Sequence, residues 1–334
     1  MGIDWAQFAK LVHANKRFLL TTHVRPDCDA LGSCLGMAAI LESIGKTVRI
    51  VNGQETPPNL AFIDPDNRIE AINVNVSVDE LLADKIDVLM VLDTSAWAQL
   101  GPMGEVIRRT KAQVAVLDHH MSSDDLNAIE FRDTSAEAAG RLVIDAADAL
   151  QVKLTAEMAR PLFAALATDT GWFRFGSTSG NTFRYGGRLV DAGAKPSELY
   201  HELYENATLA RIKLIGRILA QTESELDGKL VYTAVSLDDF AQTGAVSTDT
   251  EDVINLTLQV GTARVAMIMV EQQTGGYKVS FRSRCKVDCS VLASQFKGGG
   301  HKAAAGAFIN EPFEVARAKL LSAIRAAMKE AGEV

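Results

Sequence analysis

The chain has few aromatic residues, few cysteines, no long apolar run and no excess of positive charge. Aromatic residues make up only 6% of its 334 residues, which argues against an extended stacking platform for long single-stranded nucleic acid. The formal net charge of −8 argues against a general surface for polyanions. Four cysteines in a chain of this length do not form a disulfide framework, and we expect free thiols.

No apolar stretch approaches the roughly 18 residues that would span a bilayer. The N-terminal stretch MGIDWAQFAKLVHANKRF carries interleaved charges and lacks the apolar core of a secretory signal. These features predict a cytoplasmic protein with no membrane partner. The hydrophobic content of 47%, with 23% charged residues, is typical of a globular protein with sizeable cores.

The pattern along the chain predicts an α/β fold with two domains. In the first half, short β-rich runs alternate with helical patterns, as in a parallel sheet. Residues 191–227 are predicted as a helical connector between a first domain, 1–190, and a smaller α/β domain, 228–334. In the smaller domain the strands are of the antiparallel type, with Gly275-Gly276 as a hairpin turn.

Three apolar strands of the first domain end in polar residues suited to chemistry. His23 follows RFLLTT, Asp93 follows DVLMVL, and Asp118-His119-His120 closes AQVAVL. Ligands of parallel α/β sheets bind at the carboxyl ends of the strands, so these side chains are expected to meet. The loop TTHVRPDCDALGS adds two aspartates beside the first histidine.

The candidate ligands combine imidazole and carboxylate groups without thiolates, a set that suits Mn²⁺, Fe²⁺ or Mg²⁺. They are too many for one ion and suit two ions, with Asp93 as the bridge. Taken singly, each short motif also fits a polar turn or a helix N-cap, and only their joint placement favours a metal site. The six candidate ligands are His23, Asp27, Asp29, Asp93, His119 and Asp169.

The stretches HVRPDCDALGS, VLDTS, LDHH and ATDTGWFRFGST resemble, in order, the four motifs of the DHH phosphoesterases. FRSR and KGGGHKAAAGAF resemble the DHH-associated C-terminal domain, so that the resemblance covers almost the whole chain. The chain resembles the short two-domain members known as nano-RNases, which are relatives of the RecJ exonucleases and of phosphatases that act on adenosine 3′,5′-bisphosphate. It departs from many relatives at Gln99, where they carry an arginine shortly after the second motif.

The resemblance implies a role for each matching residue. One ion would be held by His23, Asp27 and Asp93, and a second by Asp29, Asp93, His119 and Asp169. Asp118 would orient its neighbours, and His120 would face the substrate phosphate. Substrate would be bound in the C-terminal domain by Arg282, Ser283, Arg284, Gly299, Gly300 and His301.

The resemblance further implies two divalent cations, usually Mn²⁺ with Mg²⁺ as the alternative, and a substrate cleft between the domains. The expected activity is hydrolysis of short RNA to nucleoside 5′-monophosphates, with a 3′-phosphatase activity on adenosine 3′,5′-bisphosphate beside it. The alternatives are a phosphodiesterase for linear or cyclic dinucleotides and a non-catalytic nucleotide-binding protein. The expected partners are short RNA or a small nucleotide, no long nucleic acid, and a second copy of the chain in a homodimer supported by the connector helices.

Overall fold

A computed structural model describes residues 2–334 and divides them into two compact units. The first unit ends at Asn206 and the second runs from Ala207 to Val334. This boundary falls inside the predicted connector, residues 191–227. The predicted domain limits, 1–190 and 228–334, stay a prediction. Within residues 2–334, no helix is both long and apolar enough to cross a membrane.

The first unit is built on a six-stranded sheet in which every neighbouring pair is parallel, in the order β3-β2-β1-β4-β5-β6. This confirms the predicted fold class. Chain order reverses at the centre, between β1 and β4, where open α/β sheets bind their ligands. The strands are β1 (Arg17–Thr21), β2 (Thr47–Asn52), β3 (Ile69–Ala71), β4 (Val88–Leu92), β5 (Gln113–Asp118) and β6 (Ile129–Arg132).

Helices cover both faces of this sheet. The helices are α1 (Trp5–Ala14), α2 (Cys28–Ser43), α3 (Val78–Ala83), α4 (Met103–Arg109), α5 (Ala139–Ala149), α6 (Ala156–Asp169), α7 (Gly180–Asp191) and α8 (Pro196–Tyr204). Alternate strand residues feed two separate cores. Leu20 and Leu92 pack with α2, α5 and α6 on one face, whereas Leu19 and Val91 pack with α3 and α4 on the other.

Helix α2 is buried along most of its length, which agrees with its apolar sequence. Asp27 caps its N-terminus by accepting hydrogen bonds from the backbone N–H of Asp29 and Ala30, each at 3.0 Å. At the other end Gly45 adopts a left-handed φ of 79°, which is common for a glycine just after a helix. Gly32 and Gly36 face α6 without room for a Cβ, so the two helices pack in close contact.

The second unit has its own six-stranded sheet, in the order β11-β12-β10-β9-β8-β7. The strands are β7 (Glu223–Glu225), β8 (Leu230–Val235), β9 (Val265–Glu271), β10 (Tyr277–Ser283), β11 (Gly299–Gly300) and β12 (Ala304–Ile309). The expected hairpin is confirmed, with Gly275 and Gly276 both at positive φ between β9 and β10. The expectation of antiparallel strands throughout was wrong, because β8 and β9 pair in parallel. Helical segments connect β8 to β9, and parallel neighbours require such a crossover.

The helices of the second unit are α9 (Leu209–Ala220), α10 (Leu237–Thr243), α11 (Val253–Thr257), α12 (Cys289–Ser294) and α13 (Phe313–Glu330). The glycine-rich stretch KGGGHKAAAG takes part in the sheet. Gly299 and Gly300 form the short strand β11, and Ala304 and Ala305 belong to β12. Gly298 and Gly300 are needed for this pairing, because a Cβ at Gly298 would lie 2.2 Å from the Gly306 carbonyl oxygen and one at Gly300 2.6 Å from the Ala305 Cα. At Gly299 a Cβ would meet no atom within 4 Å.

Candidate metal centre

The strand ends of the first sheet bring the six predicted ligand residues into one cluster. Two triads of the predicted ligands have ligand atoms within 4.8 Å of one another: His23 with Asp27 and Asp93, and Asp29 with His119 and Asp169. Asp93, His119 and His120 form a third such group. Asp93 links the first two triads, since its Oδ2 faces His23 and its Oδ1 faces His119. The six residues predicted as ligands therefore do lie together in the fold.

Both histidines of the cluster are held in the same way. The Nδ1 of His23 lies 3.0 Å from the Val24 carbonyl oxygen, and the Nδ1 of His119 lies 3.1 Å from that of Ala136. A carbonyl oxygen can only accept, so Nδ1 carries the proton in each ring. Each Nε2 is then free to act as a ligand, an arrangement that is usual for metal-binding histidines.

The two Nε2 atoms point at carboxylates without forming good hydrogen bonds. His23 Nε2 lies 3.5 Å from Asp93 Oδ2, and His119 Nε2 lies 3.3 Å from Asp93 Oδ1 and 3.7 Å from oxygens of both Asp29 and Asp169. Asp93 is 2% exposed, yet its Oδ1 has no hydrogen-bond partner among residues 2–334. A buried carboxylate oxygen without a donor is costly, and a cation would satisfy it.

Asp93 also has an unusual backbone. It follows β4 with a φ of 62°, in the left-handed region that residues with a side chain rarely adopt. Its N–H donates to the Leu117 carbonyl oxygen on the neighbouring strand at 3.1 Å, and this bond helps hold the strained position. Such strain persists where surrounding structure fixes it, and it is concentrated at functional sites.

Asp29 is held by helix α5, which no sequence pattern connects with it. Its Oδ2 accepts from the Ala139 N–H at 2.7 Å and its Oδ1 from the Gly140 N–H at 2.8 Å, at the start of α5. Ser33 Oγ lies a further 3.3 Å from Oδ1. Since α5 has no side-chain cap of its own, Asp29 supplies the negative charge that a helix N-terminus favours. None of these three partners was identified from the sequence. Only Ser33, one helical turn after Asp29, could have been found from its spacing.

The crowding of carboxylates shifts the pKa of several groups. Burial, and then the nearby charges of Asp93 and Asp169, raise the pKa of Asp29 well above its usual value. Burial also raises the pKa of Asp169 to about 6. Burial opposes the charged form of His119, but the surrounding carboxylates outweigh it and raise its pKa to about 10. Without a cation the cluster therefore retains protons, because its negative charges lie too close together to coexist.

Asp118 and His120 lie beside the six predicted ligands, and the Nδ1 of His120 is 3.8 Å from Asp93 Oδ1. The Nδ1 of His120 lies 2.8 Å from Asp118 Oδ1, and Ser95 Oγ donates to Asp118 Oδ2 at 2.6 Å. Asp118 is fully buried, and these hydrogen bonds overcome the effect of burial and lower its pKa. The Nε2 of the half-exposed His120 has no hydrogen-bond partner within residues 2–334. Ser95, which the sequence analysis did not single out, lies in the VLDTS motif.

Gln99 lies where many relatives carry an arginine, and it forms two hydrogen bonds in this structure. Its side-chain oxygen accepts from the Thr94 hydroxyl at 2.6 Å. Its carbonyl oxygen accepts from the Val24 N–H at 2.7 Å. Gln99 thus ties the loop that follows β4 to the loop that carries His23 and Asp27.

The predicted substrate-binding residues lie together at one end of the second sheet. The Ser283 N–H donates to the Ala303 carbonyl oxygen at 2.9 Å, which joins the end of β10 to the turn that follows His301. Ser283 Oγ accepts from the Cys285 N–H at 3.2 Å, so its hydroxyl is partly used within its own turn. Arg284 and His301 are exposed. Within residues 2–334, the Arg282 guanidinium donates only to the Phe281 carbonyl oxygen next to it.

The molecule is thus a two-unit α/β protein with a carboxylate–imidazole centre at the carboxyl edge of a parallel sheet. The chain belongs to the DHH family: residues 17–167 match the DHH family, N-terminal domain, and residues 227–330 match the DHHA1 domain. It is 30% identical over 314 residues to the bifunctional oligoribonuclease and PAP phosphatase NrnA of Thermus thermophilus, covering 94% of this chain and 90% of the relative.

Solved structures show the same fold. An exopolyphosphatase-related protein from Bacteroides fragilis has a TM-score of 0.84 at 21% identity, over 98% of this chain and 95% of that one. An exonuclease RecJ bound to manganese has a TM-score of 0.53 at 14% identity, over 100% of this chain and 96% of that one.

Proposed function

We propose that this protein is a metal-dependent phosphoesterase that hydrolyses short RNA oligonucleotides to nucleoside 5′-monophosphates. We propose a second activity, removal of the 3′-phosphate from adenosine 3′,5′-bisphosphate. The name of the Thermus thermophilus relative, whose length this chain almost matches, supports both activities. The observation that carries the proposal is the buried Asp93 Oδ1, which has no hydrogen-bond partner within residues 2–334 and lies 3.3 Å from His119 Nε2.

The residues of the cluster fit two divalent cations. His23, Asp27 and Asp93 would hold one, and Asp29, Asp93, His119 and Asp169 the other. The mixture of imidazole and carboxylate suits Mn²⁺ first and Mg²⁺ second. The RecJ structure contains manganese, which supports the same choice. When bound, such a pair of cations polarises phosphoryl oxygens and lowers the pKa of water.

The other residues of the site orient the substrate. Asp118 accepts from the His120 Nδ1–H, and this hydrogen bond raises the pKa of the ring. The protonated ring can then donate from Nε2 to a phosphoryl oxygen as charge develops there. Ser95 holds Asp118 in turn and acts as a positioning residue. In the second unit Arg282 and Arg284 would bind substrate phosphates, since a guanidinium matches the geometry of phosphate oxygens.

The remaining predictions concern the cellular compartment, the exclusion of long RNA and the oligomeric state. All four cysteines are free and three are buried, which suits the reducing cytoplasm that we propose as the compartment. Exclusion of long RNA and formation of a homodimer also remain proposals. Sedimentation of the purified full-length chain tests the dimer, and the length series below tests the exclusion.

The proposal is tested by hydrolysis of a 5′-labelled RNA series from two to about 24 nucleotides, with Mn²⁺, with Mg²⁺ and with chelator. Adenosine 3′,5′-bisphosphate and a cyclic dinucleotide are assayed in parallel. We expect metal-dependent loss of the shortest oligomers and of the bisphosphate, with long RNA spared. Cleavage of the cyclic dinucleotide alone would indicate the alternative phosphodiesterase. Nucleotide binding without hydrolysis of any substrate would indicate the non-catalytic alternative.

A further inference from the structure

The connection between β5 and β6 leaves a groove on one face of the first sheet. These strands run in parallel, and parallel neighbours are usually joined by a helix that packs on the sheet. Here they are joined by residues 119–128, all of which the structure describes and which contain no helix or strand. Leu126 and Ala128 of this segment reach the core beneath α3 and α4. A groove of about 710 Å³ remains between the segment and the C-terminal end of α4.

The groove combines an apolar lining with an unpaired cation. Ile107, Val114 and Leu126 contribute apolar surface. The exposed Arg108 also lines the groove, and its guanidinium carbon lies 4.2 Å from the centroid of the Trp97 ring, in a cation–π contact. Within residues 2–334 this guanidinium has no hydrogen bond or ion pair. The stacking therefore holds a positive charge in place while its N–H donors stay available.

The neighbouring arginine of α4 shows that carboxylates are within reach of this helix. Arg109 pairs with Asp79 at 2.7 Å and with Glu105 at 2.6 Å, and neither carboxylate is paired with Arg108 in the described part of the chain. One carboxylate lines the groove, that of Asp125, and it accepts a hydrogen bond from the Asn127 N–H at 2.8 Å. The donors of Arg108 are thus the cationic donors of the groove that an anion can use.

Trp97 connects the groove with the residues beside the metal centre. Its indole N–H donates to the Asp125 carbonyl oxygen at 3.1 Å, and its backbone N–H donates to the Asp124 carboxylate at 2.8 Å. The Asp124 N–H donates in turn to the Ser95 carbonyl oxygen at 2.8 Å. Ser95 is the residue that holds Asp118. A ligand that contacts Trp97 and Arg108 therefore acts on the same hydrogen bonds that orient Asp118.

We infer that this groove binds a nucleoside monophosphate at a second site, apart from the metal centre, and that binding there changes the rate of hydrolysis. The guanidinium of Arg108 matches a phosphate in charge and in donors, and the apolar lining accepts a flat base. The volume of the groove lies within the range of small-molecule sites. The site stands on the geometry of the groove. The choice of ligand rests on the proposed function, which releases this class of molecule.

The binding is tested by calorimetric titration of adenosine 5′-monophosphate into the full-length chain, with chelator so that no cation holds the nucleotide at the metal centre. We expect Arg108→Ala to weaken binding roughly 10–100-fold, because hydrogen bonds from a charged group are lost. Arg109→Ala removes the same charge from the same helix and should change Kd by less than about twofold. Ribose 5-phosphate, which lacks the base, should bind more weakly than the nucleotide.

Three binding results would overturn the inference: no binding by wild type, equal binding by Arg108→Ala and Arg109→Ala, or ribose 5-phosphate bound as tightly as the nucleotide. Arg108→Lys keeps the charge and should lose less affinity than Arg108→Ala. If Arg108→Ala does not fold, the comparison of Arg108→Lys with Arg109→Lys decides the site, and weaker binding by Arg108→Lys supports it.

The effect on the rate is tested with the shortest oligonucleotide as substrate. Adenosine 5′-monophosphate should change the kcat of wild type roughly 5-fold or more and leave the kcat of Arg108→Ala unchanged. A rise in KM alone, equal in both proteins, would place the nucleotide at the metal centre only and overturn the inference. Absence of any hydrolysis by wild type would instead reject the proposed function, and the binding comparison would still decide the groove.

Discussion

The two units of this protein place their charged clusters in opposite ways. In the first unit, acids and histidines are packed into the edge of a sheet, and Asp29, Asp93 and Asp118 are almost completely buried. In the second unit, Arg264 and Arg284 at the end of the β9–β10 pair are exposed, and their side chains have no hydrogen bond or ion pair with residues 2–334. The first arrangement gives fixed geometry at the cost of crowding like charges. The second leaves charge available in solvent, and its groups can move.

The difference predicts how each region responds to substitution. Changes in the buried cluster should have large effects that propagate through neighbouring groups, because each side chain there holds another in place. Changes at the exposed arginines should have smaller effects that depend on the substrate. The following experiments test this contrast, starting with the largest expected effect.

Asp93→Asn should abolish hydrolysis, with a loss of roughly 10²–10³-fold or more. The amide removes the negative charge shared by both triads and places an N–H₂ group against one of the two histidines. Single-turnover assays with saturating Mn²⁺ measure the loss, and calorimetric titration with Mn²⁺ measures binding. Asp191→Asn, at the exposed end of α7, is the control. Retained activity in Asp93→Asn would show that Asp93 does not link the triads.

Gly140→Ala should reduce activity roughly 10–100-fold although it touches no substrate. A Cβ at this position would lie 2.6 Å from the Cβ of Ala165 and 3.3 Å from Asp29 Oδ1, so α5 must shift and Asp29 with it. Overpacking of this kind should also lower the free energy of unfolding by about 1–3 kcal/mol. Enzyme assays and urea denaturation measure the two effects.

The matched control for that variant is Gly187→Ala in α7, where a Cβ would meet no atom within 4 Å. Alanine is the better helix former, so this variant should gain about 0.5–1 kcal/mol and keep full activity. If both glycine variants had equal activity, Asp29 would not depend on the N-terminus of α5.

Ser95→Ala should lower kcat roughly 10-fold and leave KM nearly unchanged. The substitution removes the 2.6 Å hydrogen bond to Asp118 Oδ2 and loosens the residue that orients His120. Steady-state kinetics on the shortest oligomer separate the two constants. Ser135→Ala removes a similar serine–aspartate hydrogen bond, to Asp133 at an exposed turn, and should change neither. A rise in KM alone would show that Ser95 does not act through His120.

Within the second unit, the paired Arg217–Asp239 provides the counterpart of the unpaired Arg264. Burial would raise the pKa of Asp239, but hydrogen bonds from Ser236 and Arg217 outweigh it and lower the pKa below the usual value. The carboxylate therefore stabilises the fold above its unfolded pKa, and this contribution is lost as pH falls below about 5. Asp239→Asn should lower the free energy of unfolding by about 1–3 kcal/mol at pH 7. The free energy of unfolding of this variant should also fall less steeply as the pH is lowered.

Urea denaturation between pH 7 and pH 3 measures this effect. Arg264→Ala serves as the comparison, because Arg264 has no carboxylate partner among residues 2–334 and its loss should leave the pH dependence unchanged. Parallel stability curves for wild type and Asp239→Asn would show that Asp239 does not account for the acid sensitivity.

The parts of the site that the sequence predicted are those with local signals. His23 and Asp93 stand directly after runs of apolar residues, and a strand that ends in a polar residue can be recognised without its partners. The first sheet could be predicted for the same reason. In contrast, the N–H groups that hold Asp29 come from residues about 110 positions away, and no pattern near Asp29 indicates them.

The second unit was harder to predict because strand composition does not determine strand direction. β8 and β9 are both apolar, and only the length and content of their connection show that they run in parallel. The placement of Arg264 opposite Arg284 could not be predicted either, because Arg264 belongs to no motif and only the register between β9 and β10 brings the two together.

The close packing of α2 on α6 limits which amino-acid replacements the protein can tolerate. A Cβ at Gly32 would lie 2.3 Å from the Pro161 carbonyl oxygen, and one at Gly36 would lie 2.5 Å from Leu162 Cδ2. Asp29 stands at the start of α2 and Asp169 at the end of α6, so the distance between these helices governs the spacing of two candidate ligands. In a selection for growth that depends on this protein, Gly32 should therefore tolerate as few replacements as the aspartates do. Gly36 should tolerate slightly more, since it faces a side chain that can adjust.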